Sequence, residues 1–290
     1  GSCYPSTGLF HAVFQRFTQN LDTSFNVGIA EANMTSVAAG MASCGMIPVI
    51  SSFAPFVSRR NCDQLMISVA YAKQNVKIIG SDPGINAETN GGTHMPFEDI
   101  GVLRSIPTIV IVEVADPEQL RQAVPAMIRH NGPVYLRMAR KEQPAVFDSS
   151  YHFDLFKADL LREGSDVTIL ATGLLLSRAL EAAELLENEG IRAEVINVHT
   201  IKPLDQETIL ASVKKTGCVV TAENHNVIGG LYSAVSELLA ANQPAPIERV
   251  GIEDEFGEVG NLAALSKRYH LNAEDIVNKA KFAVGTKEKE

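Results

Sequence analysis

Short apolar runs alternate with longer, helix-like patterns through the first half of the chain. The runs are apolar at consecutive positions, as is typical of strands that are covered on both faces. They predict strands at residues 26–30, 47–52, 76–80, 108–114 and 134–138. The intervening patterns predict helices at residues 32–44, 60–72, 97–105 and 117–130. Strands that alternate with helices in this way predict a parallel sheet with helices on both sides.

The alternation stops and then starts again in the second half. Residues 141–163 contain turn-forming sequence such as Gln143-Pro144 and indicate a connection between domains. Beyond them we predict strands at residues 166–171, 192–198, 218–222 and 248–252, and a helix at residues 174–189. The expected fold is α/β, with two consecutive domains that each contain a mostly parallel sheet covered by helices. Their predicted bounds are residues 1–146 and 164–290, with a linker at residues 147–163.

Composition and charge narrow the functional classes. The 290 residues, 46% of them hydrophobic, are enough for two cores, since a domain usually has ~100–200 residues. A net charge of −9 argues against a nucleic-acid-binding protein, which presents a basic surface. No apolar run reaches the ~20 residues of a membrane-spanning helix and no signal peptide is visible, so the expected compartment is the cytoplasm.

The four cysteines show no metal-binding or redox spacing. They are Cys3, Cys44, Cys62 and Cys218, and no two of them form a Cys-x-x-Cys pair. Cys44 and Cys62 lie in apolar, helix-like sequence. This setting predicts reduced, buried thiols rather than disulfides or zinc ligands.

A glutamate at a predicted strand–helix junction is the most distinctive single residue. Glu31 follows the apolar run Val27-Gly28-Ile29-Ala30 and opens a helix that is rich in small residues. The helix dipole alone favours an acid at this position. A carboxylate between a strand and a close-packed helix is also the kind of partly desolvated group that catalytic sites use.

Six segments stand in the order found in the pyrimidine-binding domain of transketolases. They are FNVGIAEANM from Phe25, SSFAPF from Ser51, VKIIGSD from Val76, GGTHMPFED from Gly91, VADP from Val114 and GPVYLRMAR from Gly132. Each motif is moderately specific alone, whereas the ordered set is highly specific. The likeness continues through the C-terminal half, so nearly the whole chain resembles the transketolase family.

The resemblance implies a cofactor and roles for several residues. Transketolases use thiamine diphosphate and Mg²⁺ to move a two-carbon ketol unit from a ketose to an aldose. Glu31 matches the glutamate that binds N1′ of the aminopyrimidine. Phe56 matches the residue that stacks on the pyrimidine, and Phe53 lies beside it. His94 matches the histidine that orients the donor and assists proton transfer, and Arg140 matches the arginine that binds the donor's distal anion.

Structural alternatives exist for the same residues. Phe53 and Phe56 are also explained as core aromatics, and His94 as a solvated loop histidine. Arg140 is also explained as a surface arginine after a strand, with Arg137 close to it in sequence.

Three substitutions predict an unusual donor. Asp82 stands where many transketolases carry a phosphate-contacting histidine, and Asn90 stands where an aspartate contacts the donor. Met66 replaces an arginine of the family's Glu-Gln-Ile-Arg helix. Fewer cationic groups and an added carboxylate would weaken binding of a phosphate dianion. We therefore expect shared chemistry with a different donor terminus, such as a sulfonate or a neutral group.

The family's metal motif, Gly-Asp-Gly followed by asparagine, is missing from the sequence. We therefore predict that this chain holds no metal and is the C-terminal subunit of a split transketolase. A partner chain would carry the diphosphate-binding domain, in an α2β2 assembly. Residues 1–7 resemble the loop after the first strand of the pyrimidine domain, so that strand and its helix are expected to be lacking.

Two other functions remain open from the sequence. One is the β subunit of a 2-oxoacid dehydrogenase decarboxylase component, and the other is a non-catalytic scaffold homologue. In the C-terminal half, the Gly229-Gly230 pair before a helix is expected to serve packing rather than anion binding, and His225 is expected at an interface.

Overall fold

The computed structural model describes residues 25–287, which form two five-stranded sheets with helices packed against them. The helices of the first half are α1 (Glu31–Ser43), α2 (Ala54–Val57), α3 (Asp99–Arg104) and α4 (Pro117–Arg129). Its strands are β1 (Val49–Phe53), β2 (Lys77–Ser81), β3 (Val110–Glu113) and β4 (Val134–Met138). These four strands are parallel, in the order β1-β2-β4-β3.

The second half contains six strands and five helices of the described chain. The strands are β5 (Asp159–Arg162), β6 (Val167–Ala171), β7 (Ala193–Asn197), β8 (Thr200–Lys202), β9 (Val219–Asn226) and β10 (Ile247–Ile252). The helices are α5 (Leu175–Asn188), α6 (Gln206–Thr216), α7 (Leu231–Asn242), α8 (Leu262–Arg268) and α9 (Ala273–Lys287). The sheet order is β10-β9-β6-β7-β5. The predicted α/β architecture of two mostly parallel sheets is thus confirmed.

Two short antiparallel strands escaped the sequence analysis. β5 lies in the segment predicted as a linker and pairs antiparallel with β7. β8 comes from the second half of the chain but adds antiparallel to β3 of the first sheet. Each has only three or four residues, too few for a recognisable apolar pattern. The two halves therefore share a sheet as well as a surface.

Two predicted elements differ from the structure. Residues 26–30 form no strand: Gly28 has φ +74°, and Phe25 and Ile29 are 71% and 77% exposed. Their apolar character therefore does not come from burial within the described chain. The helix predicted at residues 60–72 is irregular, with a 3₁₀ turn at Arg59–Asn61, an α-helical turn and a π-helical segment at Leu65–Tyr71.

The cysteine prediction is only partly correct. Cys218 is buried, Cys62 is partly buried and Cys44 is exposed, all as free thiols. Cys44 is exposed because α1 ends at Ser43 and Cys44 forms its C-cap. Cys3 lies outside the described residues. So do residues 1–7, from which the lack of a first strand and helix was predicted.

A buried polar network joins the two halves. Arg137 on β4 is fully buried; its Nε donates to Asp99 at 2.8 Å, and its Nη1 lies 2.7 Å from Glu113 Oε1. Nη2 of the same side chain also donates to the backbone oxygen of Asn224, 3.2 Å away on β9. His225 is fully buried beside this network, 3.8 Å from Asp99. His225 thus lies at the interface between the halves of this chain.

None of the helices within residues 25–287 is long and apolar enough to cross a membrane.

Candidate active site

The carboxyl ends of the parallel strands of the first sheet bring the predicted residues together. β1 ends at Phe53, Asp82 directly follows β2, and Arg140 follows β4 by two residues. Ligands of α/β proteins bind outside this edge of the sheet. The edge therefore positions side chains that lie far apart in sequence.

Three aromatic rings form the centre of the site. Phe53 and Phe56 meet edge-on with ring centroids 5.9 Å apart, since Phe56 lies on the short helix that starts directly after β1. The His94 ring lies 5.2 Å from Phe53 and 5.0 Å from Phe56, again edge-on. Such contacts stabilise by ~0.5–1.5 kcal/mol beyond area burial and fix the ring planes. His94 is partly exposed and packs against both phenyl rings.

Glu31, the first residue of α1, is buried with 7% of its surface exposed. Its Oε1 accepts a hydrogen bond from Ser52 at 3.3 Å, which ties the start of α1 to the end of β1. Its Oε2 accepts one from Arg60 at 2.9 Å. Both carboxylate oxygens are therefore hydrogen bonded.

Arg60 belongs to the site, although the sequence analysis did not identify it. Besides its ion pair with Glu31, its guanidinium carbon lies 3.9 Å from the centroid of the Phe56 ring. In the sequence, only the spacing of four residues between Phe56 and Arg60 suggests this contact. The spacing was not recognised because the chain forms a 3₁₀ turn at Arg59–Asn61 instead of a regular helix.

Asp82 and Arg140 form one unit. The Arg140 backbone N–H donates to Asp82 Oδ1 at 2.9 Å, and Arg140 Nε pairs with Oδ2. The Arg140 guanidinium carbon lies 4.6 Å from the centroid of Phe53. Burial raises the pKa of Asp82, and the contacts with Arg140 oppose that rise. Asp82 is only 2% exposed, so it acts on its surroundings through Arg140.

The structure separates the two candidate arginines. Arg137 is fully buried in the network between the halves, whereas Arg140 lies at the site edge against Phe53. Among residues 25–287, the Nη nitrogens of Arg140 have no hydrogen-bond partner. Arg140 is thus the one of the two whose free N–H groups lie at the edge of the site, where a ligand can reach them.

The glycine-rich loop before His94 has a packing role. A Cβ on Gly92 would lie 2.4 Å from the backbone oxygen of Gly257, so this glycine permits contact with the second half of the chain. Asn90 is exposed at the end of the helical turn Gly84–Asn90, four residues before His94. Met66 packs against the first core. Neither Asn90 nor Met66 contacts the aromatic rings in the way that Arg60 does.

Comparison with known proteins shows which family shares this arrangement. Residues 6–145 match the transketolase pyrimidine binding domain, and residues 156–276 match the transketolase C-terminal domain. A 6-deoxy-6-sulfo-D-fructose transketolase subunit, SqwH, from Clostridium sp. (strain MSTE9) is 53% identical over 92% of this chain and 83% of its own length. The chain belongs to the transketolase family.

Further transketolases resemble it along most of their length. An apulose-4-phosphate transketolase subunit from Phocaeicola vulgatus (strain ATCC 8482) is 35% identical over 91% of this chain and 85% of its own. A solved structure described as a split gene transketolase, inactive beta4 tetramer, is 41% identical with a TM-score of 0.84, over 91% of this chain and 84% of its own. The chain is accordingly a transferase subunit that works as part of a split, multi-subunit transketolase.

The side chains of this transketolase subunit fit the pyrimidine end of thiamine diphosphate. The contacts of Arg60 are consistent with this fit, because a planar, nitrogen-bearing group lies over Phe56 and donates to Glu31. The aminopyrimidine is also flat and binds through ring nitrogens. Within residues 25–287 no group of three or more His, Cys, Asp or Glu side chains could hold a metal ion.

The Gly229-Gly230 pair serves packing, as expected. Both oxygens of the buried Glu223 accept from the start of α7, from the backbone N–H of Leu231 at 2.6 Å and of Tyr232 at 2.8 Å. A Cβ on Gly230 would lie 2.0 Å from the Glu223 carboxylate, and one on Gly229 2.9 Å from Gly101. The helix start is thus occupied by a side chain of the protein itself.

Proposed function

We propose that this member of the transketolase family binds the aminopyrimidine of thiamine diphosphate and takes its two-carbon unit from a ketose that carries a sulfonate. When bound, the cofactor supplies the carbanion chemistry of the transfer. Glu31 holds the aminopyrimidine by hydrogen bonding, Phe56 is its stacking platform and Phe53 lies beside it. Their burial and mutual contacts support these roles.

The substrate side is proposed for His94, Arg140, Asp82 and Asn90. His94 orients the donor's hydroxyl and carbonyl groups and takes or returns a proton there. Arg140 binds the donor's distal anion with its Nη groups, and Asp82 orients that arginine through its ion pair. Asn90, exposed near the loop, contacts the donor's hydroxyl region.

The Asp82–Arg140 pair is the observation that carries the sulfonate proposal. A phosphate monoester has a charge of about −1.5 to −2 at pH 7, whereas a sulfonate has a single negative charge. Asp82 pairs with Arg140 and so reduces the net positive charge that a dianion would meet, while two planar Nη groups remain for hydrogen bonding. The 53% identity to the 6-deoxy-6-sulfo-D-fructose transketolase subunit supports the same choice.

The assembly and its metal belong to the same proposal. A separate chain contributes the diphosphate-binding domain and the Mg²⁺ ligands, in an α2β2 complex in the cytoplasm. The free thiols of the described residues agree with a reducing compartment. The absence of Gly-Asp-Gly from the sequence is the reason to place the metal ligands on the partner.

Donor kinetics of the reconstituted pair test the proposal. We expect kcat/KM for 6-deoxy-6-sulfo-D-fructose to exceed that for fructose 6-phosphate at least tenfold. Asp82→Asn keeps the oxygen that accepts from the Arg140 backbone N–H but removes the carboxylate charge beside the Arg140 guanidinium. The ratio of kcat/KM for the sulfonate to that for the phosphate should therefore fall by about 10-fold, the effect of one charge-assisted contact. Glu142→Gln, which removes an exposed acid two residues after Arg140, is the control and should leave the ratio unchanged.

Two results would contradict the donor assignment. One is a preference for fructose 6-phosphate or xylulose 5-phosphate by orders of magnitude, and the other is an unchanged ratio in Asp82→Asn. No transfer with any ketose, by a pair that binds the cofactor, would favour the non-catalytic homologue instead.

A further inference from the structure

Arg60 makes both contacts that the pyrimidine of the cofactor would need. Its Nη1 donates to Glu31 Oε2 at 2.9 Å, and its guanidinium carbon lies 3.9 Å from the centroid of Phe56. The other oxygen of Glu31 already accepts from Ser52. Arg60 therefore takes an acceptor position of Glu31 and covers the ring of Phe56 at the same time, which leaves no room for the aminopyrimidine at that position while Arg60 stays in place.

The pair has a physical reason in a subunit that folds before it meets its partner. The Glu31 side chain is only 8% exposed, and a buried carboxylate with no partner is strongly destabilising. Arg60 supplies the missing charge and covers the apolar face of Phe56. The Arg60 side chain itself is 44% exposed and starts from a short 3₁₀ turn, so it can swing into solvent without unfolding a helix.

We propose that Arg60 is an autoinhibitory placeholder that occupies the aminopyrimidine position and must leave before the cofactor binds. This inference rests on the proposed roles of Glu31 and Phe56. The contact closes the site in the free subunit, and thiamine diphosphate displaces it when the partner's diphosphate ligands are present. Arg60 thus lowers cofactor affinity while it protects the empty site.

The neighbouring residue provides a matched control. Arg59 has the same 44% side-chain exposure and its own ion pair, with Glu98 at 2.7 Å. It contacts neither Glu31 nor Phe56. Replacing Arg59 with alanine therefore removes an arginine and ion pair from the same turn, together with a hydrogen bond to the Thr93 backbone oxygen, but leaves the proposed placeholder intact.

Calorimetric titration with thiamine diphosphate and Mg²⁺ tests the inference on the complex of this chain with its diphosphate-binding partner. Arg60→Ala should bind the cofactor about 5- to 30-fold more tightly, the combined size of one partly exposed ion pair and one cation–π contact. Arg59→Ala should bind within twofold of wild type. Added salt should narrow the gap between wild type and Arg60→Ala, because salt weakens the ion pair that competes with the cofactor.

The outcomes separate this inference from the proposed function. Unchanged or weaker cofactor binding by Arg60→Ala, with binding still lost in Glu31→Gln, would overturn the placeholder and leave the pyrimidine site standing. Cofactor binding that Glu31→Gln leaves unaffected in the Arg60→Ala background, where the competing ion pair is already gone, would overturn the site itself. Circular dichroism and size-exclusion chromatography of each variant check that the fold and the complex persist.

Discussion

At the scale of single residues, the site depends on a carboxylate that is costly to bury. Glu31 lies at the start of α1, where the helix dipole favours its charge, and both its oxygens are hydrogen bonded. Those contacts stabilise the fold with no cofactor present. In the proposed function, the same carboxylate binds the aminopyrimidine, so Glu31 contributes both to stability and to catalysis.

Glu31→Gln should distinguish the contribution of Glu31 to stability from its contribution to catalysis. The amide keeps the size of the side chain and one acceptor oxygen, so folding and assembly should persist, but it cannot support the positive character that develops at N1′. We expect turnover of the reconstituted pair to fall about 100-fold or more, the usual loss for an acid–base group. Steady-state rates at saturating donor measure this, with Glu98→Gln as the control acid. Turnover within a few-fold of wild type would mean that Glu31 only starts a helix.

The residues of this part of the molecule could be named from the order of their motifs, with one exception. Glu31, Phe53, Phe56 and His94 were named because their motifs resemble those of the transketolase pyrimidine domain, and the structure places Phe53, Phe56 and His94 in contact. Arg60 could not, since its importance comes from a side chain that folds back over Phe56 through an irregular turn. No periodicity in the sequence encodes that direction.

At the scale of elements, α7 is capped from a strand rather than from its own N-cap residue. Glu223 on β9 satisfies the backbone N–H groups of Leu231 and Tyr232, which would otherwise lack partners at a buried helix start. Burial raises the pKa of Glu223 to about 8, while burial lowers the pKa of the neighbouring His225 to about 4. Both groups are therefore expected to be neutral in the folded chain near pH 7.

The raised pKa makes stability depend on pH. The folded chain keeps the Glu223 proton up to about pH 8, whereas the unfolded chain loses it near its ordinary pKa of 4.5. The stabilisation is therefore complete below pH 4.5 and is lost as pH rises from 4.5 to 8. Relative to Glu223→Gln, the free energy of unfolding of wild type should fall by about 1.4 kcal/mol per pH unit in this window.

Urea unfolding of wild type and Glu223→Gln from pH 5 to pH 8 checks this expectation, and the comparison cancels the titration of His225. Glu207→Gln, at an exposed acid in the first turn of α6, is the control and should run parallel to wild type. If Glu223→Gln also runs parallel, Glu223 is ionised in the folded chain and held so by its two amide donors.

Short and irregular elements could not be predicted from the hydrophobic pattern of the sequence. β5 and β8 have four and three residues and pair antiparallel at sheet edges, so neither shows the apolar run of the central strands. The π-helical segment Leu65–Tyr71 keeps a helix-like pattern while changing which residues face the core. The parallel strands β1 to β4, by contrast, lie within about two residues of their predicted bounds, because close packing in the sheet dictates their composition.

At the scale of the whole molecule, the two halves form one unit. β8 joins the first sheet, and the buried Arg137 links Asp99 and Glu113 to the backbone of Asn224. These contacts are long-range and polar, so hydrophobic patterning did not predict them. They fix the second half against the glycine loop of the site, where Gly92 meets Gly257. The second half thus supports the glycine-rich loop of the site.

The sequence lacks the family's motif for the metal and the diphosphate, and this predicts weak cofactor binding by the chain alone. The described residues offer the aminopyrimidine Glu31 and Phe56, but the sequence has no Gly-Asp-Gly motif for Mg²⁺ and the diphosphate. Charge-assisted hydrogen bonds contribute ~1.5–3 kcal/mol each, so losing even two of them weakens binding at least about 100-fold. The chain alone should therefore bind thiamine diphosphate only in the millimolar range. Calorimetric titrations with and without the partner subunit measure the difference, and Glu31→Gln in the mixture shows whether the pyrimidine end still contributes. Micromolar binding by the isolated chain would mean that it holds the diphosphate itself, and the split-subunit proposal would then fail.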